Sequence, residues 1–341
     1  MYTDDDLDAA VGAGVLDGRA VAAFRTFVAA RQDGRMADEE HFRLLTGFND
    51  IFVSVAITLV LAALYGLGTA LLAGAGAALM AVAAWGLAEY FTRRRRMALP
   101  SILLLLAFTG GLYASVTMAG FMLPGLEDSG RWAALPLLGG AVLAGAGAAL
   151  HWWRFRVPVT VAAGTAAGAA ALLGLLLTLA PDVAPYLAWV ILPAGVGVFV
   201  LAMRWDASDR ERATRRADVA FWLHLLAAGM IVHPVFALLP DLPSPLAGAL
   251  LVLAVYAVLM VVALITDRRA ILVSSLAYVL YAVISAVTQS AAQMGAEIGW
   301  ALVALPVGSV LLLFSAFWHR ARRALLPTLP QRLRDMVPVA V

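Results

Sequence analysis

The 341-residue chain has no cysteine and no lysine; all 24 of its basic residues are arginine. Without cysteine there is no disulfide, no thiolate-held iron–sulfur cluster, no c-type haem attachment and no cysteine nucleophile. Without lysine there is no Schiff base, no phosphate-loop lysine and no catalytic amine. Charge of either sign is also scarce, at 13% of residues, whereas 63% are apolar. A soluble domain sits near ~45–50% apolar and ~25% charged. The excess is too large for a water-soluble core of this length and points to an integral membrane protein. A formal net charge of +2 gives no reason to expect nucleic acid as a partner.

Long apolar runs are what the chain does have. A membrane helix needs ~20 mostly apolar residues, because the hydrocarbon offers its backbone no hydrogen-bond partner. Ten stretches qualify, at roughly 50–67, 69–91, 98–122, 133–152, 157–180, 185–203, 218–239, 246–265, 270–289 and 298–318. The spacing therefore predicts an all-α bundle of ten spans over 48–318, with a helical segment 1–47 before it and a basic tail 319–341 after it. Two places strain this reading: the hairpin at Gly66–Thr69, and Pro193 inside the sixth span.

An even number of spans puts both termini on one side, and the arginines say which. Twenty-three of them fall on segments of one face; the other face carries only Arg131, beside Glu127, Asp128, Asp182, Asp241 and Glu297. Arginines in short loops mark the cytoplasmic side, so the expected threading is N-in and C-in. Trp132, Trp152, Trp153, Trp205, Trp300 and Trp318 fall at span ends, as an interfacial belt requires. The first fifty residues are acidic and lack a basic stretch leading into a short apolar run, so the first span reads as an uncleaved anchor. Arginine-only basic usage with abundant Ala, Gly, Val and Leu suggests a high-GC bacterial genome, and hence an inner membrane.

Outside the spans, Thr3 caps a first short helix broken by Gly12 and Gly14, and Asp17 caps a second that carries Val21, Phe24 and Val28 on one side. With ten acidic residues against five arginines up to Asp50, this segment repels phosphate and reads as a cytoplasmic cap. The tail combines Arg320, Arg322, Arg323, Arg332 and Arg334 with three prolines and reads as lying on anionic headgroups.

The acidic helical start, Phe48–Asp50 opening the first span, and GLAEYF running into RRRRMALPS at Gly86–Ser101 are similar to bacterial multi-span inner-membrane proteins of unknown function with a short cytosolic helical N-terminus. The resemblance covers the first third of the chain. It implies a location and no chemistry.

Ionisable groups inside a membrane are costly and are functional candidates by default. No Asp, Glu or Arg is expected deep in a span. Glu89 reads as an i,i+4 partner of Arg93, and Asp50, Asp218 and Asp267 as carboxylates at span N-termini. His224 and His233 lie in the seventh span, each roughly 9 Å from its nearer end. Nine residues apart, they sit on opposite sides of an ideal helix, so they make no same-face ligand pair; His151 and His319 read as interfacial. In the ninth span Ser274, Tyr278, Tyr281, Ser285 and Thr288 share a face, with Gln289 beside it. Shorter hydroxyl stripes run through Asp50, Ser54, Thr58 and Tyr65, and through Thr109, Tyr113 and Thr117. Such stripes either join helices or line a wet path. Gly140, Ala144 and Ala148, and Gly164 with Gly168, form small-residue ridges suited to close helix packing.

No metal-binding, nucleotide-binding or hydrolase motif is present, so no catalytic residue, metal ligand or cofactor is expected. The reading that follows is a permease for a small neutral or weakly polar solute, with His224, His233, Tyr278, Tyr281, Ser285 and Gln289 along its path. The alternative is a non-transporting assembly or sensing protein whose cytosolic N-terminus holds a partner, or a second copy of the chain. A membrane redox or haem protein stands third.

Overall fold

In a computed structural model, residues 10–26, 48–125, 130–210, 214–240, 245–290 and 316–334 are described, with single positions besides, among them Arg212 and Val337. Among the described residues nine apolar helices follow one another: α1 (Phe48–Thr69), α2 (Ala75–Ala88), α3 (Ala98–Phe121), α4 (Leu135–Phe155), α5 (Val159–Leu179), α6 (Leu187–Ala207), α7 (Arg215–Ala237), α8 (Pro245–Thr266) and α9 (Ala270–Ser290). No strand occurs among the described residues. Seven of these helices, α1 to α7, are long and apolar enough to cross a membrane. The chain thus has the architecture of a multi-pass helical membrane protein. Most of the tenth expected span lies outside the described residues.

Prolines sit where a helix tolerates them, at or near the first turn: Pro100 in α3, Pro136 in α4, Pro158 before α5 and Pro245 in α8. The two interior prolines do not break their helices. Pro193 is accommodated within α6, and Pro234 lies within α7, where it denies Met230 the helical donor for its carbonyl. Gly195 of α6 lies against that carbonyl; a Cβ there would stand 2.8 Å from the Met230 oxygen. The Gly66–Thr69 hairpin resolves similarly. α1 runs to Thr69, α2 starts only at Ala75, and Gly68 meets Gly76 backbone to backbone, leaving no room for a side chain on either.

Helices α1 to α5 pack largely on their sequence neighbours; α6 packs on α7 and α8 on α9, with α5 and α9 both resting on α7. One core joins Ile57, Leu61, Ala84 and Leu104 of the first three helices. A second joins Val198 and Ala202 of α6 to Val219, Leu223 and Ala227 of α7. A third joins α7, α8 and α9 around Val232, Leu259, Ala263 and Ile271. The central helix is therefore α7, half enclosed where α1 is about one-fifth enclosed. Members of the small-residue ridges serve this packing, though Gly168 faces open space. Gly140 lies on Tyr113 and Thr117 of α3, and Gly164 on Ala148 of α4.

The two ends of the bundle turn differently. At one end the chain reverses through Gly74 and Gly125, both with positive φ. At the other, the left-handed positions are Arg96, Arg156, Arg212 and Asp267, with φ of 53–56°. A non-glycine residue there gives up about 1 kcal/mol. Charge occupies positions that glycine would fill without strain.

Before the bundle, a short helix follows Asp17, whose carboxylate accepts a hydrogen bond from the Arg19 amide at 3.2 Å. Val21 is buried, whereas Val15, Leu16 and Phe24 are exposed.

Candidate functional site

The arginine-rich end holds a buried ion-pair network built by two connections and the C-terminal segment. α6 does not stop where its apolar run does; it continues four residues beyond 203, through Arg204 and Asp206 to Ala207. Asp209 then organises the reversal by accepting from the backbone N–H (2.9 Å) and hydroxyl (2.7 Å) of Thr214. Thr214 in turn caps α7 by accepting from the Arg216 amide. Between α8 and α9 the chain turns at Asp267 and Arg268.

Asp206, with no exposed surface, is the first centre. One oxygen accepts from Arg268 Nη2 at 2.5 Å and the other from His224 Nε2 at 2.8 Å, so α6, α7 and the α8–α9 turn meet on one carboxylate. Arg268 and His224 are themselves 3% and 1% exposed. A carboxylate only accepts, so the Nε2 position of His224 carries a proton. Its Nδ1 is buried and has no hydrogen-bond partner among the described residues. The Phe199 ring lies edge-on to the imidazole at 5.3 Å, and Phe221 lies under the Arg268 guanidinium at 6.0 Å.

Asp267 is the second centre. It accepts from Trp318 Nε1 at 2.8 Å and pairs with Arg212 at 3.2 Å and Arg322 at 3.6 Å. Arg212 and Asp267 are both left-handed residues, so the two strained turns lock onto each other. Burial first, and the neighbouring Arg268 charge second, push the Arg212 guanidinium below its ordinary range, while Asp267 and Asp206 draw it back up. It stays a cation at physiological pH.

The C-terminal segment closes over this end. Arg210 donates to the carbonyls of Val337 (3.3 Å) and Arg334 (3.2 Å), and Leu326 and Val337 are buried against Met203 of α6. Arg269 covers the Trp318 ring at 5.0 Å. This part of the tail is docked on protein, where the sequence suggested headgroups. Trp318, at 2% exposure, belongs to the core, where the sequence suggested the interfacial belt.

The residues singled out from the sequence go to different places. His224 faces α6 and Asp206. His233 is exposed on the other side of α7, and its Nδ1 meets the Tyr278 hydroxyl of α9, with Phe236 stacked on the tyrosine ring at 4.4 Å. Tyr281 is 75% exposed. The side chains of Ser285, Thr288 and Gln289 lie outside the described residues. The buried face of α9 is marked by Ile271, Leu272, Ser275 and Val279, roughly a third of a turn from the hydroxyl stripe at ~100° per residue. Most hydroxyls in the spans bond to their own helix: Thr58 to Ser54 O, Thr109 to Leu105 O, Thr178 to Gly174 O and Ser275 to Ile271 O. Thr117 reaches a neighbouring helix, at Pro136 O.

Three other expectations are corrected. A carboxylate does enter the bundle, at Asp206, because α6 is longer than its apolar run. Glu89 is more than an i,i+4 partner. It opens a π-helical turn (Glu89–Arg94) and takes a two-pronged bond from Arg154 of α4 at 2.7 and 2.9 Å, with Arg93 farther away at 3.3 Å. Finally, His151 is enclosed: its Nδ1 meets the Thr160 hydroxyl at 3.1 Å, and the rings of Trp85, Phe108 and Phe155 surround it.

Among the described residues no group of three His, Asp or Glu side chains is arranged to hold a metal ion. Comparison with family models, with curated proteins and with solved structures found no match.

Proposed function

We propose that the chain is a ten-span protein of a bacterial inner membrane, threaded N-in and C-in, that passes a small neutral or weakly polar solute. Asp206, His224 and Arg268 form the polar constriction at its cytoplasmic end. The observation that carries this reading is the wholly buried carboxylate shared by an imidazole and a guanidinium from different helices. Buried ionisable groups in a membrane protein are expensive to keep, and they mark solute and ion pathways. His224 Nδ1, buried and unpaired among the described residues, offers an acceptor to a solute hydroxyl or amide. His233 and Tyr278 supply a second polar contact on the other side of α7.

The ten-span count draws support from Trp318. α9 is 21 residues long, or ~31 Å at 1.5 Å per residue. Beyond it, Trp318 is bonded to Asp267, which precedes α9. The chain has thus regained the arginine-rich end by Trp318, as an even number of crossings requires.

Purified protein in liposomes, challenged with hyperosmotic glycerol, erythritol or urea and followed by light scattering, tests the permease reading. The native protein is expected to speed re-swelling for at least one solute, and His224→Gln to slow it at equal protein content. Empty-vesicle rates for every solute would favour the second reading, a sensing or assembly protein. That reading draws on the exposed Val15 and Leu16 of the bend before Asp17 and Phe24 of the helix after it, which suit a protein partner.

A further inference from the structure

A second concentration of charge lies away from this network, where α2 and α4 end. The Glu89–Arg154 bond and the Trp85–Phe155 ring contact at 5.1 Å hold these two helix ends together. Around them stand Arg94, Arg95, Arg96 and Arg156, all exposed. Arg93 and Arg154 share the single Glu89 carboxylate, but these four have no carboxylate within ion-pair distance among the described residues. Two of them lean on aromatic rings instead: Arg95 lies 5.6 Å over Tyr90 and donates to its hydroxyl, and Arg156 lies 5.6 Å over Trp152. Arg96 and Arg156 also hold left-handed backbone positions, where glycine would be unstrained.

We propose that this surface binds the phosphate of an anionic lipid, clamped between the Arg94–Arg96 turn and Arg156. Charge complementarity and depth identify the occupant. Four uncompensated guanidiniums present forked donors that match phosphate oxygens. Tyr90 and Trp153, 43% and 73% exposed on the same helix ends, are side chains of the kind that settle at headgroup level. A basic surface between helix ends on the cytoplasmic side is where anionic headgroups collect. The π-helical turn has a part in this. Its extra residue lets Glu89 face Arg154 while the arginine run projects outward, and π-turns of this kind recur at functional sites.

The test is lipid binding to the full-length protein in a mild detergent, counted by native mass spectrometry and read again as thermal stabilisation. Phosphatidylglycerol is expected to bind and stabilise, while phosphatidylcholine and inorganic phosphate at equal concentration leave the protein unchanged. Replacing Arg94, Arg95, Arg96 and Arg156 by Gln is expected to weaken phosphatidylglycerol binding by about tenfold or more. Lysine at the same four positions keeps the charge and is expected to retain most of the binding. Arg215→Gln with Arg216→Gln, two exposed arginines at the same end, is the matched control and is expected to change nothing. Where the fourfold glutamine variant does not fold, Arg95→Gln with Arg156→Gln carries the same test. Undiminished binding in the glutamine variants overturns the proposal, as does an equal loss in the control. Equal stabilisation by inorganic phosphate overturns the lipid as the occupant.

Discussion

Asp206→Ala is expected to remove about 3–5 kcal/mol of stability, among the largest losses any single change in this chain produces. The cost arises from what remains. Arg268, 3% exposed, keeps its charge without a counter-ion, and the Nε2–H of His224 loses its acceptor. The double replacement Asp206→Leu with Arg268→Met removes both charges and keeps apolar volume. It is expected to lose much less than Asp206→Ala, since a buried pair exchanged whole for apolar residues is often close to neutral. Thermal unfolding in detergent, followed by circular dichroism, separates the two. Equal losses in the single and double variants would show that Asp206 acts through shape and that its charge is immaterial.

The second large effect is expected at Asp267, where three donors from separate segments converge. Asp267→Asn keeps a side chain that tolerates φ of 56° and removes only the charge. Arg212 and Arg322 then lack their shared counter-ion. The loss is expected to be about 3 kcal/mol, at the lower end for a buried pair because Asp267 retains 12% exposure. The physical consequence is local: the segment 316–334 loses its principal polar anchor and becomes an early site of limited proteolysis. Asp267→Gly removes the same charge and also relieves the backbone, so it should free the segment at a smaller cost in global stability. Unchanged protease resistance of the segment in Asp267→Asn would mean that the burial of Leu326 and Val337 and the Arg210 hydrogen bonds hold it down without Asp267.

The helices were legible in the sequence because lipid leaves a backbone no alternative: the nine described helices follow the apolar runs closely, with α2 starting six residues later than its run. The ion-pair network was not legible, and the reason is physical. Arginines at span ends carry a topological signal wherever they point, so Arg212, Arg268 and Arg322 read as solvated markers of sidedness. Nothing local to Asp206 reveals that its guanidinium partner lies 62 residues away. The available signal was the interleaving of Asp206, Asp209 and Asp267 with that arginine-rich face, where sidedness alone calls for no acid. The hydroxyl stripe of the ninth helix illustrates the opposite difficulty. Spacing places Ser274, Tyr278 and Tyr281 on a common face, but it cannot say whether that face points inward; Tyr281 does not. Nor can spacing tell a hydroxyl free to meet a solute from one already bonded to the carbonyl four residues back, as with Thr58, Thr109 and Ser275.

The threading of the chain underlies every functional statement above, and a background without cysteine makes it directly measurable. Single cysteines at Ser208, Arg216 and Thr328, all exposed at the arginine-rich end, are compared with cysteines at Leu71, Leu123 and Asp182, exposed at the other. A membrane-impermeant maleimide is applied to intact spheroplasts and again after permeabilisation. Ten spans with both termini inside predict labelling at Leu71, Leu123 and Asp182 in intact cells, and at Ser208, Arg216 and Thr328 only once the membrane is opened. Labelling of Thr328→Cys from outside, with Arg216→Cys still protected, would mean an odd number of crossings between them and would contradict the account.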